Sequence, residues 1–459
     1  MLCVPALLLA VQICQADGPL RVHPENPRYF ADDTGRAIYL TGSHTWVNVQ
    51  DTGEPLDYNA YLDFLEAHNH NFIRLWAWES ALWVLPDSRV VPWTLLPYAR
   101  TGPGEAFDGR AKFDLARLDE AYFSRLRERV AAARERGLYA AVMLFQGFSV
   151  ARKSKGRFST PWLGHPLRKP NNINGIDPNA DGDDEGYEAH TLADPAVTRL
   201  QEAYVRKVVD TVNEFDNIIY EISNESHGGS TEWQYHMIRY VRECEANKPL
   251  RHLVWMSYQW DGIAGSGNDD DLFRGPAEVV SPRGSVKENE YRVDPPPADG
   301  SKIVIADTDH LWGIGGNRAW VWKSFLRGLH PIFMDTYRST PHRKEPSVDP
   351  RWDPVRRAMG DTLRFARRLD LAPITPTGDP AHCSTRYCLR EPGATYLVYQ
   401  PEDGPFTVNL EAGTYVAEWF RASTGRTVTM ETQRFASGAR QFEPPFSGDA
   451  VLLLTAWKR

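Results

Sequence analysis

Between about residues 37 and 371, short apolar runs alternate with longer stretches whose apolar positions recur every three to four residues. The short runs are rich in β-branched and aromatic residues and apolar nearly throughout, as strands buried on both faces are. They predict strands over Ala37–Trp46, Asn71–Glu79, Leu138–Gly147, Asn217–Asn224, His252–Trp260, Glu278–Pro282, Lys302–Asp307 and Pro331–Tyr337. The amphipathic stretches predict helices over Asp57–His68, Asp114–Arg136, Pro195–Asp216, Thr231–Asn247, Arg318–Arg327 and Pro354–Leu369, with Gly137 stopping the second of them. Eight such alternations predict a parallel sheet closed into a (β/α)8 TIM barrel.

After Ala372-Pro373 the pattern changes. Pro, Gly and Thr punctuate short alternating runs over Ala394–Gln400, Phe406–Leu410, Thr414–Arg421 and Ala450–Ala456. Alternation with period two predicts a small antiparallel β-sandwich without helices. The α/β barrel is therefore expected over 17–373 and the sandwich over 374–459. Residues 1–16 are expected to be a signal peptide, because Leu2–Cys14 is apolar and small residues at Cys14 and Ala16 suit cleavage near Asp17. This run is too short to span a bilayer, and no other stretch is a candidate to do so. A secreted or periplasmic protein is the expectation. It makes a short-loop disulfide between Cys383 and Cys388 plausible on chemical grounds, whereas Cys244 sits in a helical pattern as a buried thiol.

Composition narrows the partners. A net charge of −8 over 459 residues argues against nucleic acid. Fifteen Trp and 19 Tyr suit either a large aromatic core or a cleft of flat faces that stacks on sugar rings.

The candidate chemistry lies at strand tips, where barrels carry their sites. The run Asn217-Ile-Ile-Tyr-Glu-Ile-Ser-Asn-Glu225 delivers Glu225 at the end of the fourth strand, directly after Asn224. On the seventh strand, Asp307 and Asp309 share parity, so either could face the mouth opposite Glu225. Asp307, which ends the apolar run, is favoured slightly. Two carboxyls so placed can hydrolyse a glycosidic bond: one protonates the leaving oxygen, the other attacks or activates water. His44, Arg74, Tyr258, Trp260, Asp335 and Tyr337 are the further polar and aromatic groups at strand ends, and with Asn224 they are expected to contact substrate.

These segments resemble the clan A glycoside hydrolases. More narrowly, Gly42-Ser-His-Thr-Trp46, Asn71-Phe-Ile-Arg-Leu-Trp76, Ile219–Glu225 and Gly413-Thr-Tyr415 with Trp419-Phe420 resemble bacterial exported glycosidase-like proteins labelled with a collagen-binding C-terminal domain. The resemblance implies that Glu225 is the general acid/base and that Arg74 holds the nucleophile ionised. It also implies a retaining mechanism with no cofactor in the chemistry. Clan A carries Glu at the tip of the seventh strand, whereas this chain has Asp307 and Asp309, each one methylene shorter. A non-catalytic carbohydrate-binding barrel, or an adhesin-like module acting through the β-domain, is the alternative.

A second motif follows the third strand. Asp177, Asn179, Asp181, Asp183 and Glu188, with Gly182 at the tight turn, match the spacing of a calcium-binding loop. The expectation is a structural calcium ion without the helix pair of an EF-hand.

Overall fold

Eight parallel strands carry the architecture: β1 (Gly42–His44), β2 (Phe72–Leu75), β3 (Tyr139–Gln146), β4 (Ile218–Asn224), β5 (Val254–Ser257), β6 (Val279–Ser281), β7 (Ile303–Asp307) and β8 (His330–Met334). They pair in the order β1-β8-β7-β6-β5-β4-β3-β2. This computed structural model describes residues 18–457 except 47, 54, 86–88, 152–160, 180, 184, 261–264, 285–289 and 338–347. The proposed signal peptide, with Cys3 and Cys14, lies outside the described residues.

The seam between β1 and β2 closes the TIM barrel. The Asn71 backbone N–H donates to the Thr41 carbonyl at 3.1 Å, and Asn71 Oδ1 accepts from the Thr41 N–H at 2.9 Å. A Cβ at Gly42 would sit 2.2 Å from the Phe72 carbonyl oxygen, so only glycine lets the two strands approach this closely.

Strand alternation sorts the side chains into two layers. Ile73 and Leu75 of β2, Tyr220 and Ile222 of β4, and Val304 and Ala306 of β7 face outward into the core shared with the helices. Phe72, Ile219, Trp255, Val279, Ile303, Ile305 and Ile332 fill the barrel interior together with Leu20, Phe30 and Ile38. Above that apolar plug the interior positions turn polar: Arg74, Glu221 and Asp307 are each at most 1% exposed.

The helices follow the amphipathic pattern, with two differences from the sequence reading. The segment Ala37–Trp46 splits. Ala37–Ile38 joins a three-stranded antiparallel sheet with Arg21–Val22 and Phe30–Ala31, and only Gly42–His44 enters the barrel. The stretch Asp114–Arg136 splits too. Ala111–Leu118 pairs with Tyr98–Glu105 as a hairpin, and the helix runs from Glu120 to Glu135, with the Asp119 carboxylate accepting the Ala121 N–H. Cross-strand hydrogen bonding to a distant partner outweighs the local helical periodicity at residues 114–118. The other helix starts are legible, and Asp57 caps Tyr58–Ala67 by accepting the Ala60 N–H.

The C-terminal part is an antiparallel sandwich. A large sheet is ordered from Thr375–Thr377 through Cys388–Glu391, Thr395–Gln400, Ala450–Ala456 and Gly413–Arg421 to Arg426–Thr429, and it packs on the two-stranded sheet of Phe406–Leu410 and Gly438–Phe442. Cys383 and Cys388 are buried in its core as free thiols rather than the expected disulfide; Cys244 is also a free, buried thiol. The outer face of the large sheet is not solvent. Its Leu389, Leu397, Tyr399, Phe420, Val451 and Leu453 belong to one continuous core with Val321, Trp322, Phe325, Leu363 and Phe365 of the barrel helices. Trp322 stacks on Tyr399 at 6.0 Å and 20°. At the rim, Arg318 is bidentate to Asp449, at 2.7 and 3.0 Å, and Arg368 to Glu418, at 2.7 and 2.8 Å.

Removing half of that shared core should be costly. Trp322→Ala in the full chain is expected to lose about 3–5 kcal/mol of stability, the range for a buried aromatic truncation. A chain ended at Pro373 is expected to melt well below the parent or aggregate, because Trp322 and Phe365 would meet water. Thermal melts of both variants check this; an unchanged melting temperature for the truncated chain would show the two parts to be energetically independent.

Candidate active site

The site is built around Arg74, the inward residue at the middle of β2. Its Nε donates to Glu221 Oε2 at 2.7 Å and its Nη2 donates to Glu221 Oε1. Nη2 also reaches Asn224 Oδ1 at 2.6 Å, while Nη1 reaches Asp307 Oδ2 at 3.0 Å and Asp309 Oδ2 at 3.2 Å. The guanidinium carbon lies 4.9 Å from the Trp76 ring centroid and 5.1 Å from that of Trp255, so the indoles flank the charge. Burial works against its charge, but Glu221 and Asp307 outweigh it and keep Arg74 ionised.

Three carboxylates therefore share one cation, and their environments differ. Asp307 ends β7 and caps the one-turn helix Thr308–Leu311 by accepting the Asp309 N–H at 2.9 Å. Trp76 Nε1–H donates to His44 Nδ1 at 2.8 Å, which leaves the proton of a neutral ring on Nε2, 3.1 Å from Asp307 Oδ1. Burial pushes the Asp307 carboxyl up, but His44 and Arg74 outweigh it and hold it well below the usual range. Asp309 is raised to about 6, first by burial and then by the charge of Asp307, with Arg74 only partly offsetting them. Of the two, Asp309 is the one that reaches a cavity.

That cavity, about 380 Å³, lies at the C-terminal mouth of the barrel. Glu225, Asp309, His310 and Gln146 supply its polar floor, Trp46, Trp76, Trp260, Trp312 and Phe148 much of its wall, and Arg283 and Arg292 its far side. Trp78, Trp83 and Trp93 back the wall, with Trp78 and Trp93 stacked at 4.7 Å and 15°.

Glu225 follows β4 at φ +48°, the left-handed region that costs a non-glycine residue about 1–2 kcal/mol. The turn it makes is held from both sides. A Cβ on Gly147 would lie 2.3 Å from the Glu225 carbonyl oxygen, so the tip of β3 packs directly against the turn. Beyond Glu225, Ser226 Oγ is 2.6 Å from Ser223 Oγ and 3.1 Å from His190 Nδ1. His190 Nε2 and His165 Nε2 lie 3.3 and 3.5 Å from the oxygens of Glu79. Burial raises the Glu79 carboxyl, but His190 and His165 outweigh it and bring it to about 2. Glu79 Oε1 in turn accepts the Gln146 N–H at 2.7 Å. His310 Nε2 meets Asn224 Oδ1 at 2.8 Å; burial, above all, lowers this imidazole to about 3, so it is neutral.

The structure brings together Glu225, Asp307, Asp309, His44, Arg74, Asn224 and Trp260 of the residues singled out by sequence. It corrects one premise. Asp307 and Asp309 do not share a strand face, because the chain turns helical at Thr308; the turn itself brings Asp309 back over Arg74. Asp307, the favoured member of the pair, is 1% exposed and lies behind the cavity wall rather than in it. Three expected substrate contacts also fall elsewhere. Tyr258 Oη donates to the Gly267 carbonyl at 3.1 Å, Asp335 holds Arg356 at 2.5 and 2.7 Å, and Tyr337 packs on Tyr61 and Phe64. These are packing and pairing roles beneath the loops. Asp177, Asn179, Asp181, Asp183 and Glu188 follow a loop in which Asp181 accepts the Asp183 N–H and Asp183 the Glu185 N–H. Among the described residues, no three of their carboxylates lie within 4.8 Å of one another.

Sequence reading passed over Glu221, Glu79, Gln146, His310, Arg283 and most of the tryptophans. Glu221 had a signal, since an acid inside an apolar strand needs a buried partner. The tryptophans had none, because they come from loops whose path no local pattern sets.

A buried cation with three carboxylates makes Arg74→Met a sharp test. Loss of about 3–5 kcal/mol is expected at pH 7 from orphaned buried charges. In the parent, the depressed Asp307 carboxyl contributes stability present above its unfolded pKa and lost on acidification. Without Arg74 the carboxyls that burial raises weaken the fold as pH rises. The gap between parent and variant in denaturant melts should therefore widen from pH 4 to pH 7; a gap that stays constant would rule out the electrostatic account.

Comparison with known proteins bears out the architecture. Residues 86–263 match DUF6298, a domain of unknown function; the span holds Glu79's partners, Glu221 and Glu225, and leaves out Arg74 and Asp307. No curated protein matches the chain by sequence. Among solved structures, one titled glycoside hydrolase superposes with a TM-score of 0.57 at 13% identity over 96% of this chain and 98% of that one. A family 5 glycoside hydrolase from Bacteroides vulgatus ATCC 8482 gives 0.57 at 14% over 96% and 94%. A candidate glycoside hydrolase from the same organism gives 0.64 at 13% over 98% and 84%. At such identities the likeness is one of fold: this chain shares the barrel and the C-terminal antiparallel sheets of those structures.

Proposed function

We propose that this protein is a glycoside hydrolase acting on a polysaccharide or glycan. The observation that carries the reading is the pairing of Glu225 and Asp309 on the floor of one aromatic-walled cavity, with Arg74 behind Asp309. Flat indole faces suit sugar rings, and two carboxyls suit the bond between them. Glu225 is assigned proton donation to the leaving oxygen and, later, proton removal from water. Asp309 is assigned attack on the anomeric carbon, because it is the carboxyl after the seventh strand that lines the cavity, and it is ionised above about pH 6. Asp307 is assigned the holding of Arg74 and His44 in place. Retention of anomeric configuration follows from this division of roles.

The apolar run Leu2–Cys14 supports export. An adhesin-like reading of the C-terminal sheets gains less support, since Tyr415, Trp419 and Phe420 of the resembling segment are buried and Trp457 is the one strongly exposed aromatic among the described residues of that part.

Hydrolysis of a polysaccharide panel by the full chain is the first test. On a cleaved substrate, Glu225→Gln and Asp309→Asn should each lower kcat by about 10²–10⁴-fold. Because Asp309 must be ionised to attack, kcat/KM should rise with pH through about 6. Activity that instead falls above that pH would give proton donation to Asp309 and reverse the assignment.

Calcium at Asp177–Glu188 is proposed on the spacing of the oxygens and the turn at Gly182, whose φ is +77°. An ion bound only by the folded chain would add about 2.7 kcal/mol at a hundredfold excess over Kd. Melting temperature after chelation should therefore rise with added calcium, and less with magnesium, which demands a tighter octahedron. Equal melts with and without calcium would dismiss the ion.

A further inference from the structure

The far wall of the cavity is cationic, although the chain as a whole carries a net charge of −8. Arg283 comes two residues after β6, and Arg292 lies on the short helix Glu290–Val293 in the same β6–β7 connection. Both side chains line the cavity and both residues are half-buried. The Arg283 guanidinium carbon is 5.7 Å from the Tyr258 ring centroid and 6.0 Å from that of Trp260, and Arg292 lies 5.1 Å from Trp312. Stacking on Tyr258 and Trp260 fixes the plane of the Arg283 guanidinium.

Arg283 has no carboxylate within ion-pairing distance among the described residues. Asp269, whose charged form Arg283 favours from outside contact distance, spends its oxygens on backbone N–H groups, those of Arg283 at 3.1 Å and Gly284 at 2.8 Å. Arg74, buried behind the cavity, is by contrast paired with Glu221, Asp307 and Asp309. The charge of Arg283 is felt by His310 on the cavity floor, which places it within electrostatic reach of the reacting groups. A half-buried guanidinium in an aromatic cleft with no carboxylate in direct contact is an arrangement that an incoming anion would complete.

We propose that the cavity takes an anionic sugar chain, with the carboxylate of a uronic acid or a sulfate ester seated on Arg283 and Arg292 next to the bond to be cut. This rests on the glycoside hydrolase reading for the bond cleavage, but the anion preference can be measured without turnover. Either anion offers two oxygens in the geometry that a guanidinium grips bidentately. A neutral chain would leave Arg283 without a partner.

The test uses the full chain carrying Glu225→Gln, so that bound oligosaccharide stays uncut, with tryptophan fluorescence and calorimetry as readouts. Four probes are titrated: tetragalacturonate, its full methyl ester, a sulfated galactan tetrasaccharide and its desulfated form. At least one anionic member should bind tenfold or more tighter than its neutral counterpart, and which pair shows the difference tells carboxylate from sulfate. The ratio should shrink as salt screens the contact. Arg283→Met should bring the ratio close to one, and Arg283→Lys should keep part of it. A ratio near one in the chain with Arg283 intact, or no binding of either anionic probe, would overturn the proposal. So would a ratio that survives Arg283→Met. Cleavage of neutral chains by the parent with a ratio near one would defeat this inference alone. A tenfold ratio without cleavage of any probe by the parent would defeat the hydrolase reading alone.

Discussion

One guanidinium organises the upper half of this barrel. Arg74 is fully buried and flanked by indoles, a position that would be prohibitive for an isolated charge. It is tolerated because β4 supplies Glu221 and Asn224, while β7 and the turn after it supply Asp307 and Asp309. These acceptors come from strands far apart in sequence, and only closure of the sheet brings them within 3.2 Å of one side chain. The charge pairing and the barrel closure thus depend on each other. The same sharing sets the chemistry. One cation cannot fully compensate three carboxylates, so Asp307, with His44 as a second partner, stays ionised while Asp309 keeps a proton to about 6.

Beneath that polar layer the barrel interior is apolar and ordinary, and the short N-terminal sheet seals it through Leu20, Phe30 and Ile38. Above it the loops carry what is particular to this protein. The turn bearing Glu225 is wedged between Gly147 and the Ser226–His190–Glu79 chain, so a backbone conformation unfavourable on its own is imposed by its surroundings. Superposition on glycoside hydrolase structures at 13–14% identity shows how little of the sequence this architecture requires.

The C-terminal sandwich shares a hydrophobic core with the barrel. Its large sheet has an apolar face on both sides, one closed by the two-stranded sheet of the same part and one by the barrel helices around Trp322. That second face reads as an ordinary strand pattern in sequence, and nothing local says whether its cover is another sheet, a barrel or a partner.

The amino-acid order by itself determined the eight buried strands, most of the helices with caps such as Asp57, the change to an antiparallel sandwich, and the presence of Glu225 and Asp307 at strand ends and of Arg74 within the second strand. Those features follow from periodicity and capping, which act over a few residues. Tertiary structure alone decided the rest. Ala37–Ile38 left the predicted first strand because its partners lie at Phe30–Ala31, and residues 114–118 became a strand because Tyr98–Glu105 is beside them. Asp309 rather than Asp307 gained the cavity because one helical turn after β7 reverses the parity that an extended strand would have kept. Asp335 and Tyr337 were drawn to Arg356 and Tyr61 instead of the mouth. The tryptophan wall, the pairing of Glu221 with Arg74 and the cationic rim at Arg283 join residues tens to hundreds of positions apart. Such contacts are set by how the closed sheet and its loops fill space, and no window of sequence carries that information.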